Sequence, residues 1–206
     1  MRTAAILAGG RSTRFGGRDK SALVVDGRTI FDRQLSELSQ IADEILLVGG
    51  TIGREPRPGV TPIADLVPGC GPLGGLHAAL IAARGDRVVV VACDMPYVSA
   101  PFLAYLVGLA SSPGDPGKLD EFDAIVPQTE RGYHPLCAVY THAVIAPIER
   151  RLSAGHFTMT DLLADVCLRV VAADEIARFG DPHRLLANVN TPADYAGLEA
   201  LQGHKP

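Results

Sequence analysis

The most constraining stretch of this chain lies at its start. An apolar run, Ala4 to Leu7, leads directly into Ala8-Gly9-Gly10-Arg11-Ser12-Thr13-Arg14-Phe15-Gly16-Gly17-Arg18-Asp19-Lys20. The run reads as a short buried strand. The glycines behind it let the backbone turn sharply and approach a ligand with no Cβ in the way. Backbone N–H groups in such a turn can point at phosphate oxygens. Arg11, Arg14, Arg18 and Lys20 add positive charge, and the combination reads as a cradle for a polyphosphate. Two familiar cradles are excluded. Lys20 follows Asp19 where a P-loop needs Gly-Lys-Ser/Thr, and the dinucleotide pattern G-x-G-x-x-G is absent.

Alternation after the cradle sets the fold class. Thr29 can cap a helix over about 30–41, with Ile30, Leu35, Leu38 and Ile41 as its buried face. Strands follow at Glu44–Val48 and Val60–Ala64, then a helix over 73–84 with Leu76, Leu80 and Ala83 inward. The valine-rich strand Arg87–Cys93 has the continuous apolar character of one covered on both faces. Ser99 can cap a helix at about 100–110. Residues 111–121 read as a loop. Strands at Phe122–Gln128, Pro135–Tyr140 and Leu168–Ala172 follow, with helices at 142–153 and near 158–164. Thr191, Pro192 and Asp194 form the start of a closing helix. The expectation is a single Rossmann-like three-layer α/β/α domain over 1–206 with a mostly parallel central sheet. Residues 1–100 form its nucleotide-binding half and 101–206 its acceptor-binding half.

Composition narrows the function. The 206 residues carry a formal net charge of −4 and no long basic run, which argues against a nucleic-acid binder. Cys70, Cys93, Cys137 and Cys167 form no C-x-x-C pair, so no zinc site is expected. With no secretory signal and no apolar run long enough to span a bilayer, a cytoplasmic protein with reduced cysteines and no membrane partner is expected.

Ligands of parallel sheets lie beyond the carboxyl ends of the strands. The cradle, Asp65 and Asp94 each follow such an end, so one pocket can collect all three. Asp94 closes an apolar strand, where an unpaired charge is costly and a divalent cation relieves it. It reads equally well as a turn residue before Pro96. Lys20 suits the shifting negative charge of phosphoryl transfer, and Arg14 a leaving pyrophosphate.

The spacing LAGGxSxRFGxxxK resembles the signature loop of nucleotidyltransferases that move a nucleoside monophosphate onto a phosphate or sugar phosphate. Its Gly-Gly-Arg-Asp-Lys ending is most similar to the molybdenum cofactor guanylyltransferase family. Cys93-Asp94-Met95-Pro96, Asp65 with Gly71-Pro72-Leu73-Gly74-Gly75, His134-Pro135 and the closing Asn188-Val189-Asn190-Thr191-Pro192 extend the likeness from about residue 3 to 200. The resemblance implies that Leu7, Ala8, Gly9, Gly10 and Lys20 bind GTP, and that Asp94 holds Mg²⁺. It implies further that Asp65, Gly71 and Gly74 meet the nucleotide, that His134 faces a pterin acceptor, and that Asn188 or Asn190 completes the metal or acceptor site. Val48 stands where the family often has asparagine, so backbone groups of Val48 and Gly49 would have to replace a side-chain contact to base or ribose.

The implied reaction transfers GMP from GTP to the terminal phosphate of molybdopterin, with transient contact to molybdoenzyme chaperones. A related enzyme using CTP or a sugar-phosphate acceptor is the alternative. A non-catalytic protein that handles the cofactor is a third.

Overall fold

The computed structural model describes residues 1–8, 22–49, 57–67, 69–110, 122–191 and 193–195. In chain order the elements are β1 (Thr3–Leu7), β2 (Val24–Val25), β3 (Arg28–Thr29), α1 (Ile30–Leu38), β4 (Glu44–Val48) and β5 (Val60–Ile63). Then come α2 (Gly71–Ala82), β6 (Arg87–Ala92), α3 (Ala100–Ala110), β7 (Ala124–Thr129), β8 (Gly132–Tyr133) and β9 (Cys137–Thr141). The described chain continues with α4 (Ile145–Ser153), α5 (Met159–Leu162), β10 (Leu168–Val171), α6 (Ala173–Ala177) and α7 (Pro182–Leu185).

An eight-stranded sheet runs β10-β7-β9-β6-β1-β4-β5, with β8 paired to β7. β1 lies parallel to both β4 and β6, β4 to β5, and β7 to β10. β9 alone runs against both of its neighbours in that order, β6 and β7. The mostly parallel sheet expected from the sequence is therefore present.

Side-chain alternation in the strands feeds two cores. Ala4, Ile6, Ile45, Leu47, Val89 and Val91 join residues of α1 and α3 on one face. Ala5, Leu7, Leu46, Val48, Val88 and Val90 join residues of α2 and α4 on the other. This is the period of two of a pleated strand, with both faces apolar because helices cover both. Pro62, which cannot donate a ladder hydrogen bond, is accommodated because β5 is an edge strand.

Local chemistry adjusts several boundaries. α1 ends at Leu38, and its buried residues are Ile30, Phe31, Gln34 and Leu38, so the polar Gln34 occupies a core position that the apolar spacing assigns to Leu35. Thr29 caps it as expected, accepting from the Asp32 N–H. The turn Asp26-Gly27 joins β2 and β3 with φ of 50° and 76°. Positive φ at both positions is what a two-residue type I′ hairpin requires.

The expected cap at Ser99 is only half correct. Its carbonyl accepts from the Leu103 N–H, yet the Ala100 N–H donates to the carboxylate of Glu37 at 2.7 Å. A residue of α1 thus does the work assigned to the Ser99 hydroxyl. At the closing turn, Asp194 N–H donates to Thr191 Oγ1 and the Asp194 carboxylate accepts from Thr191 N–H, a reciprocal cap. Among the described residues no helix is long and apolar enough to cross a membrane.

Candidate active site

Of the polar residues singled out in the sequence, Asp65 follows the carboxyl end of β5 and Asp94 that of β6. Leu7 and Ala92 are register partners at the ends of β1 and β6. The Leu7 carbonyl accepts from Cys93 N–H at 3.1 Å, and Ala8 N–H donates to the Val48 carbonyl at 2.8 Å. The chain therefore leaves β1 at Ala8 beside the segment that carries Asp94. Gly9, Gly10, Arg14 and Lys20 lie outside the described residues, as do Arg11, Arg18 and Asp19.

Where the chain resumes, Leu23, Val25 and Ile30 pack with Tyr97, Tyr195 and the fully buried Val189. Val189 N–H donates to the Asp94 carbonyl at 2.9 Å. Tyr195 completes the tie by donating its hydroxyl to the Val24 carbonyl at 2.6 Å. Both ends of the glycine-rich segment are thus anchored beside Asp94, one across Cys93 and the other across Val189. The closing Asn-Val-Asn string is drawn to the same place, although it lies some hundred positions further on.

Asp65 follows β5 and faces the start of α2. A Cβ added at Gly75 would meet the Leu7 side chain at 3.6 Å and Asp65 Oδ1 at 4.0 Å. At Gly74 it would lie 3.2 Å from the Val67 carbonyl. The Gly75 distances are ordinary van der Waals contacts, whereas the tight approach at Gly74 lets α2 settle against the loop that follows Asp65. Gly71, with φ of 61°, opens the helix in the left-handed region that side chains avoid.

Val48 ends β4, in register with Leu7 of β1. It is buried, its carbonyl accepts from Ala8, and the neighbouring Gly49 N–H donates to the Ile63 carbonyl at 3.0 Å. These two bonds tie the end of β4 to its neighbours on either side, beneath the end of the sheet.

Beside Asp94 lies a cleft of about 350 Å³, walled by Pro72, Met95, His134, Leu136, Phe157 and Asn188. It also takes in Tyr133 and the segment Thr158-Met159-Thr160. Two of its lining residues, Met95 and Asn188, are the chain neighbours of Asp94 and of Val189, whose N–H donates to the Asp94 carbonyl. The cleft's volume falls in the range of small-molecule sites. His134 Nε2 and the Thr129 hydroxyl lie 2.9 Å apart. Burial and the charge of Arg131 hold the His134 imidazole below its usual pKa, with Glu130 acting in the opposite sense. The ring thus offers the cleft a neutral hydrogen-bonding group. Tyr133 and Phe157, both partly exposed at the cleft, carry no sequence signal, because an aromatic residue reads as core until its neighbours are known.

A doubly covered, mostly parallel sheet, with Asp94 and an Asn-x-Asn string joined at the end of β6, suits the nucleotidyltransferase class. A family model described as the MobA-like NTP transferase domain matches residues 4–176, and the chain belongs to that family. It is 34% identical over 93% of its length, and 89% of the relative's, to a protein of Pelotomaculum thermopropionicum named probable molybdenum cofactor guanylyltransferase. It is 31% identical over 96% of its length to the molybdenum cofactor guanylyltransferase of Desulfosudis oleivorans, covering 94% of that protein.

Among solved structures, molybdopterin-guanine dinucleotide biosynthesis protein A from Archaeoglobus fulgidus superposes with a TM-score of 0.79 at 24% identity, covering 98% of this chain and all of the other. Rv0371c of Mycobacterium tuberculosis, solved as a complex with manganese, matches with a TM-score of 0.64 at 18% identity, covering 96% of this chain and 97% of that one. At these identities the two structures speak for the fold.

Proposed function

We propose that this protein transfers GMP from GTP to the terminal phosphate of molybdopterin, releasing pyrophosphate. The observation that carries the reading is the convergence at Asp94. Both ends of the glycine-rich segment, the Asn-Val-Asn string and an adjoining small-molecule cleft all meet there. The curated relatives named for guanylyl transfer supply the choice of nucleotide and acceptor.

In this reading an oxygen of the acceptor's terminal phosphate bonds to the α-phosphorus of GTP. The bond from that phosphorus to the bridging oxygen of the β-phosphate breaks, and pyrophosphate leaves with the electron pair. The nucleophile is already anionic, so no strong general base is needed, which agrees with the weakened basicity of His134. His134 and Asn188 orient the acceptor in the cleft, and Asp65 with the start of α2 orients the nucleotide. The backbone of Leu7, Ala8, Gly9 and Gly10, together with Lys20 and Arg14, receives the phosphates. The first hundred residues bind the nucleotide and the remainder the acceptor.

The donors available suit a hard divalent cation. The Asp94 carboxylate and the amide oxygens of Asn188 and Asn190 are oxygen ligands, and among the described residues no cluster of three or more His, Cys, Asp or Glu exists to hold a metal alone. A cation shared with substrate phosphates fits that set, as is usual for Mg²⁺. When bound, Mg²⁺ would neutralise charge on the phosphates as a Lewis acid.

The buried, apolar Val48 leaves the base without a side-chain partner at the end of β4, which keeps CTP as the competing substrate. Initial rates of pyrophosphate release with molybdopterin and each of the four nucleoside triphosphates decide between them. GTP is expected to lead, and a preference under ~10-fold contradicts guanine recognition, since matched hydrogen bonding discriminates more strongly. Nucleotide binding with no pyrophosphate release would instead favour a non-catalytic carrier.

A further inference from the structure

The segment from Ala92 to Ala100, which carries Asp94, is held along its length by one face of α1. Gln34 is fully buried, and its Nε2 donates to the carbonyls of Ala92 at 2.7 Å and Met95 at 2.9 Å. These two carbonyls bracket Cys93-Asp94. One residue earlier, Arg33 Nε donates to the Pro96 carbonyl at 3.0 Å. One turn later, the Glu37 carboxylate accepts from Ala100 N–H at 2.7 Å. Positions 33, 34 and 37 share one side of a helix, so α1 presents a row of polar groups matched to successive backbone groups of the segment.

Gln34 is costly for a core position. Both amide hydrogens are used on the two carbonyls, while Oε1 is buried with no hydrogen-bond partner among the described residues. A buried polar atom left unsatisfied destabilises, and an apolar residue of similar size often fills such a place better. What Gln34 gains for the molecule is therefore geometry: it fixes both flanks of the turn that carries Asp94.

We propose that Gln34, aided by Arg33 and Glu37, is a positioning residue that sets Asp94 for its divalent cation. This rests on the assignment of the cation to Asp94 made above. Groups that orient a metal ligand from behind typically contribute 10- to 100-fold in metal affinity or activity, by order of magnitude.

The test compares the full-length protein with its Gln34→Leu and Asp94→Ala variants. Mn²⁺ affinity is read by electron paramagnetic resonance with GTP present, GTP affinity by calorimetry in EDTA, and kcat and KM from pyrophosphate release. Gln34→Leu is expected to weaken Mn²⁺ binding and lower kcat, each by roughly 10-fold, with metal-free GTP affinity unchanged. Wild-type Mn²⁺ affinity in Gln34→Leu overturns the proposal, as does a loss of metal-free GTP binding equal to the loss of Mn²⁺ binding. If Asp94→Ala also binds Mn²⁺ normally, the metal assignment itself fails. If Asp94→Ala loses the ion and Gln34→Leu keeps it, only the positioning role fails. Should Gln34→Leu not fold, Arg33→Met removes a neighbouring bond of the same row from a side chain that is 24% exposed and also bonds Val25 and Asp26. Weaker Mn²⁺ binding then sustains the proposal and unchanged binding overturns it.

Discussion

The N–H of Val189 donates to the carbonyl of Asp94 at 2.9 Å, joining two strings that lie ninety-five positions apart in the chain. Val189 itself is fully buried against Val25 and Ile30, so the Asn residues on either side of it are delivered to the end of β6 by packing. The carbonyl of Asp94 thereby ties the turn after β6 to the closing string, and the proposed cation is assigned to the side chain of the same residue.

Asp94→Ala keeps the backbone carbonyl that holds Val189. The variant is expected to fold normally by circular dichroism and to lose about 100-fold or more in the rate of pyrophosphate release, the scale of a Lewis-acid or preorganised electrostatic contribution. Near-normal turnover with magnesium would remove Asp94 from the reaction.

Gly71→Ala tests the opening of α2. Gly71 has φ of 61° with open space around it, so the penalty is backbone strain and not a clash. A cost of about 1–2 kcal/mol is expected in urea denaturation, with a raised KM for GTP because the start of α2 is displaced. An unchanged denaturation midpoint would show that the turn relaxes freely.

His134 gives a pH signature. Its pKa is held below the usual histidine value, chiefly by burial and then by Arg131. Below the ordinary histidine range, the unfolded chain takes up a proton that the folded chain resists, so stability present above that range is lost as pH falls toward the lowered value. His134→Gln should lose less stability than wild type between about pH 7 and 5, in thermal melts run in parallel. Identical pH dependence in both proteins would refute the perturbation.

Glu44 anchors the opposite end of the sheet. Its buried carboxylate accepts from Thr3 Oγ1 at 2.8 Å, Arg84 N–H at 3.0 Å and Arg84 Nε at 2.7 Å. Burial pushes its pKa up, but these hydrogen bonds outweigh that and leave it below the usual carboxylate value. The stability it supplies is complete above the ordinary glutamate pKa and fades as pH falls through the lowered one. Glu44→Ala strands several donors and should cost about 2–4 kcal/mol at neutral pH, with no effect on the ratio of rates for GTP and CTP. A cost under about 0.5 kcal/mol would mean water replaces the carboxylate fully.

Much of the framework was legible because burial on both faces leaves an unmistakable run of apolar residues, as in β1, β4 and β6. The reversed direction of β9 was not, since an apolar strand carries no mark of the way it runs; the β7–β8 hairpin and its link set it. Gln34 was passed over because apolar periodicity looks for Leu35, and a polar side chain in the buried stripe has meaning only once the carbonyls of Ala92 and Met95 stand before it. Ser99 has the chemistry of a cap, yet Glu37 reaches the Ala100 amide from another element. At the site, Asp65, Asp94 and the Asn pair were readable as motifs, while Tyr133 and Phe157 depended on tertiary placement.

The central claim is that groups meeting at Asp94 carry a nucleoside monophosphate from GTP to the acceptor. Incubation with magnesium, molybdopterin and GTP labelled at the α-phosphorus tests it most directly. The account predicts label in a pterin–guanine dinucleotide, matched one for one by pyrophosphate and abolished in Asp94→Ala. Label that stays in GTP, or that reaches the product equally well in the variant, would contradict it.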